Sequence, residues 1–345
     1  MQMECQLLIE KLFEGLGLGK ISSPITSVSG GFMHRIYKVC TQNHTYAVKH
    51  LNPEIMKRPT AMDNYKKAEM LEAILEKAEI PVVPALIFDG KKMQEIQGNY
   101  FYIFNWYDGS ITDWNNITPE QCRKAGNIQG RIHAIENQQA EPSVLPFSKI
   151  DWNEYISQAT TVEAGSGTQT KELALLLKEN LTLLDYAQDE LNKARQALPN
   201  ITTIIDEDMD PKNVMWKKGE PVVIDLECLD YGNPISSAIQ LSLQWSGITL
   251  CDYDAEKQKA FFQGYFESYD NGFRDYQSIF GLVYTWIEWL EYNIQRALGK
   301  CQDQAEKEMG LVEVKNTINR IKYIYEMENE IKANLNFHDL ATKGV

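Results

Sequence analysis

Residues 204 to 227 constrain this chain more than any other stretch. Ile204-Ile205 runs directly into Asp206-Glu207-Asp208-Met209-Asp210, and the loop holds Pro211. Asn213 then opens two short β-like runs, Val214-Met215-Trp216 and Val222-Val223-Ile224, the second ending on Asp225-Leu226-Glu227. The pattern reads as an apolar lead-in, an acidic loop and two short β-like runs. Such a loop can offer one carboxylate to a hydroxyl, while an amide oxygen and a second carboxylate hold a cation. Phosphoryl transfer asks for that set: a base that orients the nucleophile, and ligands that keep Mg²⁺ on the phosphates. A solvated acidic turn between two strands would have the same composition.

The spacing leaves both readings open, and the rest of the chain favours the kinase. Asp208 and Asn213 are divided by four residues, as the base and the metal-binding Asn are in kinase catalytic loops, and Asp225 follows where a second metal ligand is needed. The stretch resembles the His-Gly-Asp-x-x-x-x-Asn and Ile-Asp-x-Glu segments of the aminoglycoside phosphotransferase and choline kinase superfamily. These are small-molecule kinases built on the protein-kinase fold. Pro211, Val214, Trp216 and Ile224-Asp225-Leu226-Glu227 belong to the match. Two positions depart from it: Asp206-Glu207 stands where the family has His-Gly, and Asp210 where a second His is common.

Composition bounds the partners. The chain has 345 residues, 43% hydrophobic and 24% charged, which suits a folded protein of two lobes or two domains. Its formal net charge of -14 disfavours nucleic acid and anionic membranes. A nucleotide site therefore needs local Lys and Mg²⁺ to offset the global field. No apolar run approaches a membrane span and the N-terminus carries no basic region, so the expected location is the cytoplasm. The six cysteines are scattered, and free thiols are expected there.

Along the chain, residues 4 to 14 read as a helix with Leu7, Leu8, Leu12 and Phe13 on one face. Ile25 to Val39 reads as a hairpin around Ser29-Gly30-Gly31, whose backbone could lie close over phosphates. Thr45 to Leu51 alternates like a strand, with Tyr46 and Val48 on one face and Lys49 within it. Residues 61 to 78 are helical in pattern, and Pro81 and Pro84 bar continuation. Ala85 to Phe88 and Asn99 to Phe104 read as fourth and fifth strands, followed by Asn105-Trp106-Tyr107-Asp108-Gly109. Thr118-Pro119-Glu120-Gln121 is a helix start with a capping box. Gly130 and His133 lie on the helix that follows. Residues 171 to 198 form a long amphipathic helix, Ile201 to Ile205 leads into the acidic loop, and helices are expected at 235–246, 254–270, 275–298 and 302–334.

The resemblance, which spans roughly residues 20 to 300, implies an α+β, two-lobed protein-kinase-like fold. An antiparallel-sheet N-lobe would occupy 1–105 and a mainly helical C-lobe 106–345. It implies Asp208 as catalytic base, Asn213 and Asp225 as Mg²⁺ ligands, and ATP or GTP as phosphate donor. Lys49 would bind the phosphates, aimed by Glu69 of the first long helix, with Glu72 as rival. Ser29, Gly30 and Gly31 would cover the phosphates, and Asn105 and Trp106 would meet the adenine edge. Ser237 departs from an Asp common after Pro234. Glu288, Trp289 and Glu291, with Asp206 and Asp210, fit a small cationic or hydroxylated acceptor, although stripes at helical spacing also fit a core. An aminoglycoside-type acceptor comes first and choline, ethanolamine or another small metabolite second. A catalytically inactive kinase-like binding protein of the spore-coat type is the reading from another class. Oligomeric state is not legible.

Overall fold

The computed structural model describes residues 2–28, 34–136, 149–161, 167–301 and 304–336. The chain groups into two compact units, Met1–Asp113 with Asp206–Asp230, and Trp114–Ile205 with Tyr231–Val345. The carboxylate loop and its hairpin thus group with the sheet, whereas the sequence places them with the helices.

The first unit is built on a five-stranded antiparallel sheet. Its strands are β1 (Thr26–Val28), β2 (Arg35–Cys40), β3 (Thr45–His50), β4 (Gln94–Ile96) and β5 (Asn99–Asn105), in the order β1-β2-β3-β5-β4. Helix α1 (Gln2–Gly15) covers one face. There Leu8, Ile9, Leu12 and Phe13 pack on Tyr37, Val39, Tyr46, Val48, Phe101 and Ile103. The apolar stripe runs through Leu8 and Ile9, and Leu7 is exposed, one position off the inward face expected for it. Between β3 and β4 lie the one-turn helix α2 (Pro53–Met56) and the longer α3 (Ala61–Lys77). Side chains alternate along β3, so Lys49 and its cross-strand neighbour Tyr102 are turned away from the α1 face.

Ala85 to Phe88 is not the fourth strand. Pro81 and Pro84 remove ladder donors, and the segment docks through single bonds such as Leu86 N–H to the Ile103 carbonyl. Just before it, Pro81 and Val83 exchange two backbone bonds with Val223. This anchors the later segment of the unit. Strand β6 (Ser110–Ile111) pairs with β8 (Val214–Lys217), which pairs with β9 (Glu220–Val223). The β8–β9 turn has Lys218 and Gly219 at φ 55° and 80°, the positive pair that a tight hairpin demands. Strands β7 (Thr203–Asp206) and β10 (Leu229–Gly232) flank this segment in sequence.

The second unit is helical: α4 (Pro119–His133), α5 (Trp152–Thr161), α6 (Gly167–Ala197), α7 (Pro234–Trp245), α8 (Ala255–Phe266), α9 (Trp286–Ala297), α10 (Gln304–Glu326) and α11 (Glu328–Asn334). Thr118 and Gln121 form the expected capping box of α4. The single helix expected over 275–298 is instead a turn, a 3₁₀ stretch at Phe280–Thr285 and then α9. The helix expected over 302–334 breaks at Met327 into α10 and α11. Ser237 is fully buried and accepts a bond from Gln129 at 3.0 Å, a structural part for that departure. His133 is buried against the Tyr265 hydroxyl at 2.9 Å, and burial pushes its imidazole down to about 3. Among the described residues no helix is long and apolar enough to cross a membrane.

Helices α4 and α8 touch through glycines. A Cβ on Gly126 would lie 1.9 Å from the Phe261 carbonyl oxygen, and one on Gly264 would lie 1.8 Å from that of Arg123. Backbone faces backbone at both points, so neither side can yield by a rotamer change. Gly126→Ala is expected to cost about 2–3 kcal/mol of unfolding free energy, read as a lower urea midpoint with unchanged slope.

Candidate active site

Two charge clusters meet in the first unit. The upstream one is the loop after β7. Asp206, 2% exposed, closes that strand and its Oδ1 accepts the Asp208 N–H at 3.1 Å. Asp210 is also buried; it accepts the Lys212 N–H at 3.0 Å and so caps the 3₁₀ turn Pro211–Asn213. Both are short side chains bonding the backbone two residues on, the turn chemistry Asp favours. These bonds correct the expectation that Asp206 and Asp210 face an acceptor: their carboxylates shape the loop. Asp208 is the half-exposed member, 37% open. Its Oδ1 meets Lys212 Nζ at 2.7 Å, and its Oδ2 and carbonyl both accept from Asn213 Nδ2, at 2.9 and 2.8 Å. With Nδ2 engaged on Asp208, Oδ1 is the atom Asn213 has left for a cation.

Sequence reasoning passed over Lys212. Its ammonium bridges Asp208 and Asp210 at 2.7 and 2.6 Å. Burial would push it down, but the two carboxylates outweigh burial and raise it. Its place four residues after Asp208 was the available signal. The aspartates feel the crowding unequally. Burial first, then the neighbouring charge of Asp208, pushes Asp206 up to about 8 against the bond from the Asp208 amide. Burial also pushes Asp210 up to about 6, with Lys212 opposing.

The downstream cluster forms where β9 ends. The Ile224 N–H returns to the Asn213 carbonyl at 2.9 Å, which fixes the spacing of the two candidate metal ligands. Asp225 then turns into the left-handed region, φ 64° and ψ 58°, a conformation that Asp tolerates better than most residues. Lys49, 5% exposed on β3, places Nζ 2.6 Å from Asp225 Oδ1 and 2.5 Å from Glu227 Oε2. The other Glu227 oxygen lies 2.9 Å from His34 Nε2. Burial favours a neutral Glu227, but His34 and Lys49 prevail and bring it down to about 2. On Asp225 burial dominates and pushes it up against Lys49.

Several expected partners are placed differently. Glu69 does not hold Lys49; it accepts the Tyr102 hydroxyl at 2.7 Å. The rival Glu72 is buried on the Ala85 N–H and Lys92, both at 2.7 Å. A helical repeat fixes which residues face the sheet but not which carboxylate reaches a given ammonium. Asn105 ends β5, and the Trp106 N–H is donated to the Thr45 carbonyl at 3.0 Å, so it is not free for an adenine edge. Ser29, Gly30 and Gly31 lie outside the described residues. In the helical unit, Glu288 is gripped by Arg195 at 2.8 and 3.0 Å and Glu291 accepts from Tyr155 at 2.7 Å. Trp289 is 40% exposed, stacked on Tyr292, and donates to Glu313. The contacts that describe these three all lie within that unit.

Oxygen donors from one amide and one carboxylate suit Mg²⁺, which takes few protein ligands and completes its shell with phosphate and water. No group of three His, Cys, Asp or Glu among the described residues is arranged as a closed metal site. Asn213 and Asp225 therefore fit a cation shared with a bound phosphate.

A small antiparallel sheet carrying a buried Lys, together with a loop that sets an Asp beside an Asn, defines a phosphotransferase of the kinase-like fold. The profile of the Phosphotransferase enzyme family matches residues 24–279, and the chain belongs to that family. Stress response kinase A of Salmonella choleraesuis is 25% identical over 228 residues, 64% of this chain. That match spans 63% of the relative's length, under two thirds of it. Spectinomycin phosphotransferase APH(9)-Ia, solved in complex with ADP and spectinomycin, superposes with a TM-score of 0.65 at 14% identity, covering 98% of each chain. The microcompartment-associated aminopropanol kinase gives 0.60 at 13% identity, covering 93% of this chain and 98% of that one.

The Asp206 environment has a consequence for stability. Its carboxyl goes from an ordinary 3.8 to about 8 on folding, so folding takes up a proton between those values. The stability it contributes is full below the lower value and is lost as pH rises through the upper. Asp206→Asn keeps an oxygen for the Asp208 amide and removes the titration. The variant is expected to gain more in melting temperature at pH 8 than at pH 5 and to flatten the slope between them. An unchanged slope would mean that Asp206 is ionised in the fold.

Proposed function

We propose that this chain moves the γ-phosphoryl group of ATP or GTP to a hydroxyl of a small cationic molecule, an aminoglycoside-type acceptor being the first choice. The observation that carries the reading is the half-exposed Asp208, bonded to the buried Asn213 and standing in the same unit as the Lys49–Asp225 pair. Asp208 accepts the proton of the acceptor hydroxyl as that oxygen attacks the γ-phosphorus. The bond from that phosphorus to the β–γ bridging oxygen breaks, and the nucleoside diphosphate leaves. Lys49 offsets charge on the phosphates, and Lys212 stands beside the base as a second local cation. Asn213 and Asp225 would hold Mg²⁺, which supplies charge neutralisation on the transferred group.

The nucleotide donor is supported by the likeness to a phosphotransferase solved with ADP. A basic acceptor is supported by the net charge of -14, which attracts cations. A small amino alcohol is the second reading, supported by the fold likeness to an aminopropanol kinase.

The test begins with thermal stabilisation by ATP and GTP, with and without Mg²⁺, in wild type and Asp225→Ala. A shift that needs Mg²⁺ and vanishes in the variant is expected. Turnover is then screened against amino sugars, aminopropanol, choline and ethanolamine. Asp208→Asn should lower kcat by about 100-fold to 10,000-fold, the range for loss of a general base, while nucleotide affinity stays close to wild type. Nucleotide binding without turnover of any acceptor would leave a binding protein, and no binding at all would remove the nucleotide reading.

A further inference from the structure

Resting on the phosphate role given to Lys49, we propose that His34 is a positioning residue for that lysine, acting through Glu227. His34 is 7% exposed and immediately precedes β2. Its Nδ1 lies 2.9 Å from the Asn52 backbone N–H. An amide N–H can only donate, so Nδ1 is the acceptor and the ring carries its proton on Nε2. That nitrogen faces Glu227 Oε1 at 2.9 Å, with the Tyr65 hydroxyl 3.3 Å away. One carboxylate thus has one oxygen fixed by His34 and the other on Lys49.

The arrangement meets a need that Asp225 alone leaves open. When a cation draws the Asp225 carboxylate, the buried ammonium still requires a partner that is not a metal ligand. Protein kinases take that partner from a helix glutamate. On α3, Glu69 is engaged by Tyr102, and Glu72 by Ala85 and Lys92. Glu227 fills the place from the opposite end of the sequence. Its orientation is inherited from β2 through His34, from the cap of α2 through Asn52, and from α3 through Tyr65.

Two substitutions separate the ring's contacts. His34→Asn puts an amide oxygen near the place of Nδ1, keeping the Asn52 bond and dropping Glu227. His34→Gln reaches Glu227 with an amide N–H. The measurement is MgATP affinity by calorimetry, with melting temperature followed in parallel. Glu227→Gln and His34→Asn are each expected to weaken binding about tenfold, the size of one charge-assisted hydrogen bond. His34→Gln should recover most of that loss, and Glu69→Gln should stay within about twofold of wild type. Loss in Glu69→Gln with none in His34→Asn would overturn the proposal. Failure of the wild type to bind MgATP would strike the kinase reading instead. The linkage is then read from urea unfolding of the nucleotide-free protein, pairing His34→Asn and Glu227→Gln each with Lys49→Met. Coupling above about threefold in the unfolding constant upholds the linkage, and additivity overturns it.

Discussion

The contact of Lys49 with Asp225 and Glu227 is the interaction on which the first unit depends. An ammonium 5% exposed cannot keep its charge inside a protein without carboxylates in direct contact. Removing one partner of such a pair costs about 3–5 kcal/mol, because it strands the other charge. Satisfying Lys49 therefore obliges several elements to meet. β3 must carry the lysine to the side away from α1, the β8–β9 hairpin must close, and Asp225 must accept a left-handed backbone to aim back at β3. The two backbone bonds between Val223 and the Pro81–Val83 segment hold the hairpin where this can happen. Burying an ion pair seldom adds stability over an apolar core of the same volume, so its presence points to function.

The upstream loop handles the opposite problem, too many carboxylates in a small space. Three aspartates alternate with other residues over five positions, and like charges at that spacing repel. The fold divides them by burial. Asp206 and Asp210 are drawn inside, each bonded to an amide two residues on; burial pushes the Asp206 carboxyl far enough up to favour its neutral form, and Asp210 is balanced by Lys212. Asp208 stays half-exposed, braced by Lys212 and Asn213. The substitutions that depart from the family pattern therefore leave Asp208 half-exposed and braced in the loop. An Asp that bonds the Asp208 amide supplies a local constraint of its own where the family has a His.

What could be read from the sequence was what the chain decides locally. The spacing of Asp208 and Asn213 survives folding because one short turn contains both, and the hairpin to Asp225 is set by Lys218-Gly219. The Thr118 capping box and the alternation of Tyr46 and Val48 are likewise properties of single elements. Partnerships across long separations were not legible. Lys49 and Glu227 are 178 positions apart, and nothing in the α3 repeat says that Tyr102 will take Glu69 first. Segments whose backbone partners are unusual were misread for a related reason. Residues 85–88 are apolar enough for a strand, but the Ala85 N–H goes to the Glu72 carboxylate and that of Phe88 to the Lys91 carbonyl, so only Leu86 bonds across to Ile103. Residues 280–285 hold a mostly buried 3₁₀ stretch that periodicity alone cannot tell from an α-helix.

The charge balance around Lys49 also bears on how a nucleotide would enter. Without ligand, Asp225 is occupied by the lysine, so a free cation meets a carboxylate already paired. A free nucleotide would meet a lysine already held by two carboxylates, Asp225 and Glu227, with Asp208 adding repulsion. Each ligand alone must break an ion pair without replacing it. On the proposed function Asp225 would hold the cation, and Lys49, keeping Glu227, would face the phosphates. Glu227 need not move in that arrangement, since its second oxygen is already fixed by His34. On that reading the metal–nucleotide complex would be the species that suits the Lys49–Asp225 pair.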